Sequence, residues 1–146
     1  MDLPISRTIR HAHHTAESVT LSYADRFLRR KVLRTNDGAR FLVDLEHTTS
    51  VNVGDAFELE DGRLIGVRPA SESLLEVTGA DLTRLAWHIG NRHTPCQIES
   101  TRLLIQRDHV LHDMLEKLGA NLREIVEPFT PEGGAYGHGR THGHAH

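Results

Sequence analysis

The chain has one cysteine in 146 residues, and only seven aromatic side chains: four phenylalanines, two tyrosines and one tryptophan. A lone Cys96 excludes an intramolecular disulfide framework and an all-cysteine zinc site. No apolar run approaches the roughly 18 residues of a membrane-spanning helix, and residues 1–10 lack the apolar core of a secretory signal. Charge of one sign is also missing. Seventeen basic and 20 acidic residues leave a net charge of −3, which argues against a nucleic-acid footprint or a polybasic membrane anchor. No phosphate-binding Walker loop, serine-nucleophile elbow or His-Glu-x-x-His helix occurs, so those routes to nucleotide, ester or zinc-protease hydrolysis are closed. The reading is a cytoplasmic protein of one ordinary domain or two small ones. Small halves would each bury little core alone, which favours a shared interface or an oligomer.

What is abundant is histidine. There are 12, and protonating all of them would carry the charge from −3 to +9. His11, His13 and His14 cluster near the start. His138, His142, His144 and His146 fall within the last nine residues, and His47, His88, His93, His109 and His112 lie between.

Residues 1–70 read as a β-rich unit. Ser18–Tyr23 alternates polar and apolar, and Arg30–Arg34 does so less cleanly. Asn36-Asp37-Gly38 supplies a tight turn into Phe41–Leu45. A second hairpin runs from Ala56–Leu59 through Glu60-Asp61-Gly62 to Arg63–Val67. Short strands joined by Asp-Gly turns point to a small sandwich or half-barrel, with Pro69-Ala70-Ser71 as linker.

The period then changes. Leu74–Val77 reads as a strand and Asp81–Ile89 as a helix stopped by Gly90-Asn91. A hairpin follows around Ser100-Thr101. Asp108 is placed to cap a second helix that ends before Gly119, and Leu122–Val126 is the last strand. The order β-α-β-β-α-β over residues 71–130 is that of a ferredoxin-like sandwich, making the whole chain α+β. Residues 131–146 are mostly Gly and His, with Ala, Thr and Arg among the rest and almost nothing to bury, and read as a disordered tail.

On the second helix, Val110, Leu111, Met114, Leu115 and Leu118 share one face. His109 projects nearly opposite, with Glu116 in the same sector and His112 somewhat off it. An outward histidine at a helix start suits a surface metal or a symmetric contact, although a bare His-x-x-His on a helix also fits two solvated side chains. The tail histidines alternate with small residues and can converge on nickel, zinc or copper. His88 or Arg92 is placed to cap the first helix. His11, His13 and His14 read either as a weak independent metal site or as a solvated segment. Cys96 reads as a buried small hydrophobe and His47 as a surface loop residue.

The chain resembles the urease accessory protein E family. The resemblance rests on His88-Ile89-Gly90-Asn91-Arg92-His93 with Pro95, on Asp108-His109-Val110-Leu111 with Met114-Leu115 and Leu118-Gly119, and on Pro128-Phe129, Gly134-Ala135-Tyr136-Gly137 and the histidine-rich end. It implies a peptide-binding-like first domain, a ferredoxin-like metal-binding domain and a homodimer. It also implies a non-enzymatic nickel metallochaperone that works with an accessory GTPase on apo-urease. His109 and its symmetry mate would bind one Ni(II), which Zn(II) or Cu(II) could replace. His138, His142, His144 and His146 would supplement the site. His112, which is not part of the family pattern, is a further candidate ligand. Where some members carry a His-x-His pair on the last strand, this chain has Arg123 and Ile125. The rival readings are a metal store without a delivery partner, and a hydrolase built on His88, His93 and His109.

Overall fold

Two glycines with positive φ set the hairpins of the first half. Gly38 (φ +94°) follows Asn36-Asp37, and Gly62 (φ +93°) closes a turn in which its N–H donates to Leu59 O at 2.9 Å. Only glycine takes that backbone region without a steric cost, so each position fixes where the chain reverses. The computed structural model describes residues 2–133, and two compact units divide between Ala70 and Ser71.

The first unit contains β1 (Ile5–His11), β2 (Glu17–Leu21), β3 (Phe27–Arg34), β4 (Arg40–Ser50), β5 (Asp55–Leu59) and β6 (Leu64–Pro69). All six join one sheet in the order β2-β6-β5-β1-β4-β3, a curled half-barrel rather than two stacked sheets. Its core is formed by inward residues of β2 to β6, including Val19, Leu33, Phe41, Val43, Phe57 and Ile65, none more than 6% exposed, with the partly buried Ile9 of β1 packed against them.

β1 has no counterpart in the sequence expectation, and the reason is local. Its pairing with β5 shifts between Ser6 and Thr8. That bulge breaks the period of two, so the buried residue changes from Ser6 to the partly buried Ile9. β4 also runs on to Ser50, through exposed residues that show no alternation. His47 therefore lies on a strand, not in a loop.

The second unit contains β7 (Ser71–Thr78), α1 (Leu82–Asn91), β8 (Gln97–Ile98), β9 (Leu103–Gln106), α2 (His109–Lys117) and β10 (Asn121–Pro128). Its sheet order is β10-β7-β9-β8 with every neighbouring pair antiparallel. This is the strand order of two interleaved βαβ units, as in a ferredoxin-like sandwich. Leu75, Val77, Leu103 and Ile105 of the sheet share one core with Leu85 and Ile89 of α1 and Leu111 and Leu115 of α2.

Two helix ends differ in kind. Gly119 (φ +87°) follows α2 as a left-handed glycine, the residue type such an end favours. α1 instead runs through Gly90 to Asn91, and the left-handed position is taken by His93 (φ 59°), whose N–H donates to Gly90 O at 2.9 Å. Arg92 caps through its backbone N–H. Gly90 therefore does not stop the helix.

The chain beyond β10 is tied down further than composition implies. Phe129 is fully buried. Thr130 N–H donates to Gln97 Oε1, and Glu132 N–H donates to Cys96 O, both at 2.8 Å. The segment after Pro128 thus crosses from the β10 edge of the sheet to the β8 edge, so Pro131 and Glu132 are not the start of a free tail.

Candidate metal centre

The N-terminus of α2 is built by Asp108. Its Oδ1 accepts the N–H of Val110 at 2.8 Å and of Leu111 at 3.1 Å, satisfying two of the donors that a helix start leaves open. Leu111 and Leu115 then bury against the sheet, which fixes the rotation of the helix. His109, the first residue of α2, is left exposed.

Two hollows meet at His109. One, of about 430 Å³, is lined by Leu75, Arg107, Asp108, His109, His112 and Glu124. The other, of about 680 Å³, is lined by His88, Arg92, Val110, Met114 and Lys117 together with His109. Val110 does not join the core face expected of it. It is 54% exposed beside His109, because the first turn of α2 overhangs the second hollow.

Glu116 shares a helical sector with His109 but lies seven residues on, about 10 Å along the axis. Its carboxylate goes to His112, with His112 Nδ1 3.5 Å from Glu116 Oε1 and 3.8 Å from Asp113 Oδ1. Ligand atoms of His112, Asp113 and Glu116 lie within 4.8 Å of one another, a half-buried imidazole with two exposed carboxylates beginning one turn from His109. Sequence reasoning missed Glu124 and Arg107. Glu124 lies mid-strand on β10, which only the fold brings beside α2, and Arg107 directly precedes the Asp108 cap. Arg107 donates to Leu74 O and Ile125 O, each at 3.0 Å, and pairs with Glu124 at 3.9 Å.

The other histidines are dispersed. His88 is half-buried, its ring edge-on to Trp87 with centroids 5.1 Å apart. It shares the second hollow with His109. His93 lines a different one, with Cys96, Pro95, Ile98 and Glu132. His88, His93 and His109 therefore do not assemble into one three-histidine site. His138, His142, His144 and His146 lie outside the described residues.

Cys96 is 9% exposed, and burial, helped by the nearby Glu132 carboxylate, pushes its thiol up to about 11. It stays protonated at neutral pH and is a poor ligand. On β10, Arg123 is committed to an ion pair with Glu76 at 3.0 Å and Ile125 is half-buried, so neither position that could hold a histidine offers a donor to a metal.

The family models match both halves of the chain. Residues 3–70 match the N-terminal domain of the UreE urease accessory protein, and residues 72–146 match its C-terminal domain. This chain belongs to the UreE urease accessory protein family. Members carrying that name include one from Ruegeria pomeroyi, 72% identical over the full length of both chains. Another, from Paracoccus denitrificans, is 55% identical over 92% of this chain and 87% of its own. A third, from Cereibacter sphaeroides, is 63% identical over 90% of this chain and 71% of its own. The family is one of accessory proteins, not of enzymes, which sets the hydrolase reading aside. No helix among the described residues is long and apolar enough to cross a membrane.

Proposed function

We propose that this chain is a cytoplasmic nickel carrier for urease assembly, binding one Ni(II) between the His109 side chains of two copies. It would then pass the ion to apo-urease together with an accessory GTPase. The observation that carries this reading is the exposed His109, fixed by the Asp108 cap and flanked by the exposed Val110. One imidazole on a surface is a poor site, and a two-fold axis through it supplies the second ligand. Val110, with the half-buried Met114 and Leu118, provides apolar surface that such a contact would cover.

The location also favours loose binding. A cation beside a helix N-terminus works against the helix dipole, by about 0.3–1 kcal/mol, and the Asp108 carboxylate offsets part of that. Affinity then depends on the number of ligands recruited, which suits an ion that must be released. His138, His142, His144 and His146 would add ligands. Among the described residues, His112 with Asp113 and Glu116 forms a group one turn from His109 that could receive an ion from it.

The reading is tested by activating apo-urease at limiting Ni(II) with the wild-type chain and with His109→Ala. A several-fold loss of activated urease in the variant is expected. Equal activation by the two would remove His109 from the function. A chain truncated after Gly133 separates delivery from storage, because a pure store would lose its effect with the tail.

A further inference from the structure

We propose that the first unit carries a divalent-cation site of its own, formed by His11, His13 and Asp55, selective for the nickel, copper and zinc class. It is independent of the reading of His109.

The site follows from strand register. His11 closes β1 and pairs directly with Asp55, the first residue of β5. Ala12 N–H donates to Gly54 O at 2.9 Å, which holds the ends of the two strands together. Gly54 takes φ +97°, and both imidazoles lie over it: a Cβ there would stand 3.6 Å from His13 Nδ1 and 3.7 Å from His11 Cε1. The two rings are edge-on, 84° between planes, with centroids 4.4 Å apart. Asp55 is oriented from behind, since its Oδ2 accepts the N–H of Asn52 at 2.9 Å. Its Oδ1 is left 3.6 Å from His11 Nδ1.

The His11 and Asp55 donors already stand at the spacing of two ligands on one ion, and His13, whose exposed ring packs on His11, joins them by turning that ring, because the three donors do not lie within 4.8 Å of one another. At 3.6 Å the carboxylate and imidazole are too far apart for a good hydrogen bond. Two donors each about 2.1 Å from one ion lie about 3.0 Å apart at right angles and about 3.4 Å apart in a tetrahedron. A set of two imidazoles and one carboxylate suits zinc, copper and nickel rather than calcium or magnesium, which take oxygen ligands. Both histidines are exposed, so an ion can reach them, and water can complete its shell.

The test uses the isotope-labelled full-length chain titrated with Cu(II), the strongest binder of the series and a paramagnetic broadener. The amide signals of Ala12, His13 and Gly54 should broaden at low copper equivalents, and should do so equally in His109→Ala. Equilibrium dialysis with Ni(II) should show His11→Ala/His13→Ala binding one ion fewer per chain than wild type. Asp55→Asn keeps an oxygen for the Asn52 N–H but loses the charge, and should weaken that ion's binding at least about tenfold. Unbroadened signals at Ala12, His13 and Gly54, or an unchanged ion count in the double variant, would reduce the cluster to a surface His–Asp contact and overturn the proposal.

Discussion

Asp108 Oδ1 accepts the N–H of Val110 at 2.8 Å, and this contact sets the first turn of α2 on which His109 stands. The bond joins the folding of the helix to the placement of its exposed imidazole. Loss of the cap removes the acceptor of two helix-start donors and frees His109, which lies between Asp108 and Val110.

Asp108→Ala should therefore lower stability by about 1 kcal/mol, within the usual range for a lost cap. Thermal unfolding measures it, as a fall of a few degrees in Tm. Asp108→Ser keeps a capping oxygen and should recover most of the loss. The alanine variant should also bind nickel more weakly than the serine variant.

How far the sequence disclosed this arrangement varies along the chain, for physical reasons. The Asp-Gly turns at Gly38 and Gly62, the Asp108 cap and the Gly119 stop are local chemistry, and each is legible in a few residues. β1 is not, because the bulge after Ser6 destroys the alternation that marks a strand. The end of α1 misleads because a histidine, His93, takes the left-handed conformation three residues after the glycine that could have done so. Phe129 follows a proline and sits in no periodic run, so its burial depends on a path across the sheet that composition cannot reveal. At the candidate site, the outward direction of His109 was readable from helical spacing. Glu124 and the hollows on either side were not, since they come from elements distant in sequence.

The four-stranded sheet carries an ion-pair network centred on Arg102, which contacts Glu127 at 2.7 Å and Glu76 and Glu99 at 3.0 Å each, while Arg123 holds the other oxygen of Glu76. Hydrogen bonds from Arg123 and then Arg102 hold the Glu76 carboxyl below the usual carboxylate range, and Arg102 does the same for Glu127. A carboxylate whose folded pKa is depressed contributes stability that is present above its unfolded value, about 4.3, and is lost as pH falls through the folded value. Arg102→Met should be less stable than wild type at pH 7, and the gap should narrow as pH falls below about 4. Chemical denaturation at several pH values measures the gap, and a constant difference would show that the network's charge is not what matters.

Burial that raises the Cys96 thiol to about 11 makes two behaviours measurable. At pH 8 only about one molecule in a thousand carries the thiolate, so iodoacetamide should label native protein slowly and denatured protein fast, as read by mass spectrometry. Stability should also decline as pH rises from about 8.5 toward 11, because the unfolded thiol ionises first. Cys96→Ala should remove that alkaline slope.

One Ni(II) shared by two His109 side chains is the central proposal, and calorimetric titration of the full-length protein addresses it most directly. Wild type should show a tightest phase of one Ni(II) per two chains. His109→Ala should lose that phase while remaining folded, since the residue is exposed at the helix start and belongs to neither core cluster. A His109→Ala titration that keeps the same tight phase, with the same stoichiometry, would contradict the account.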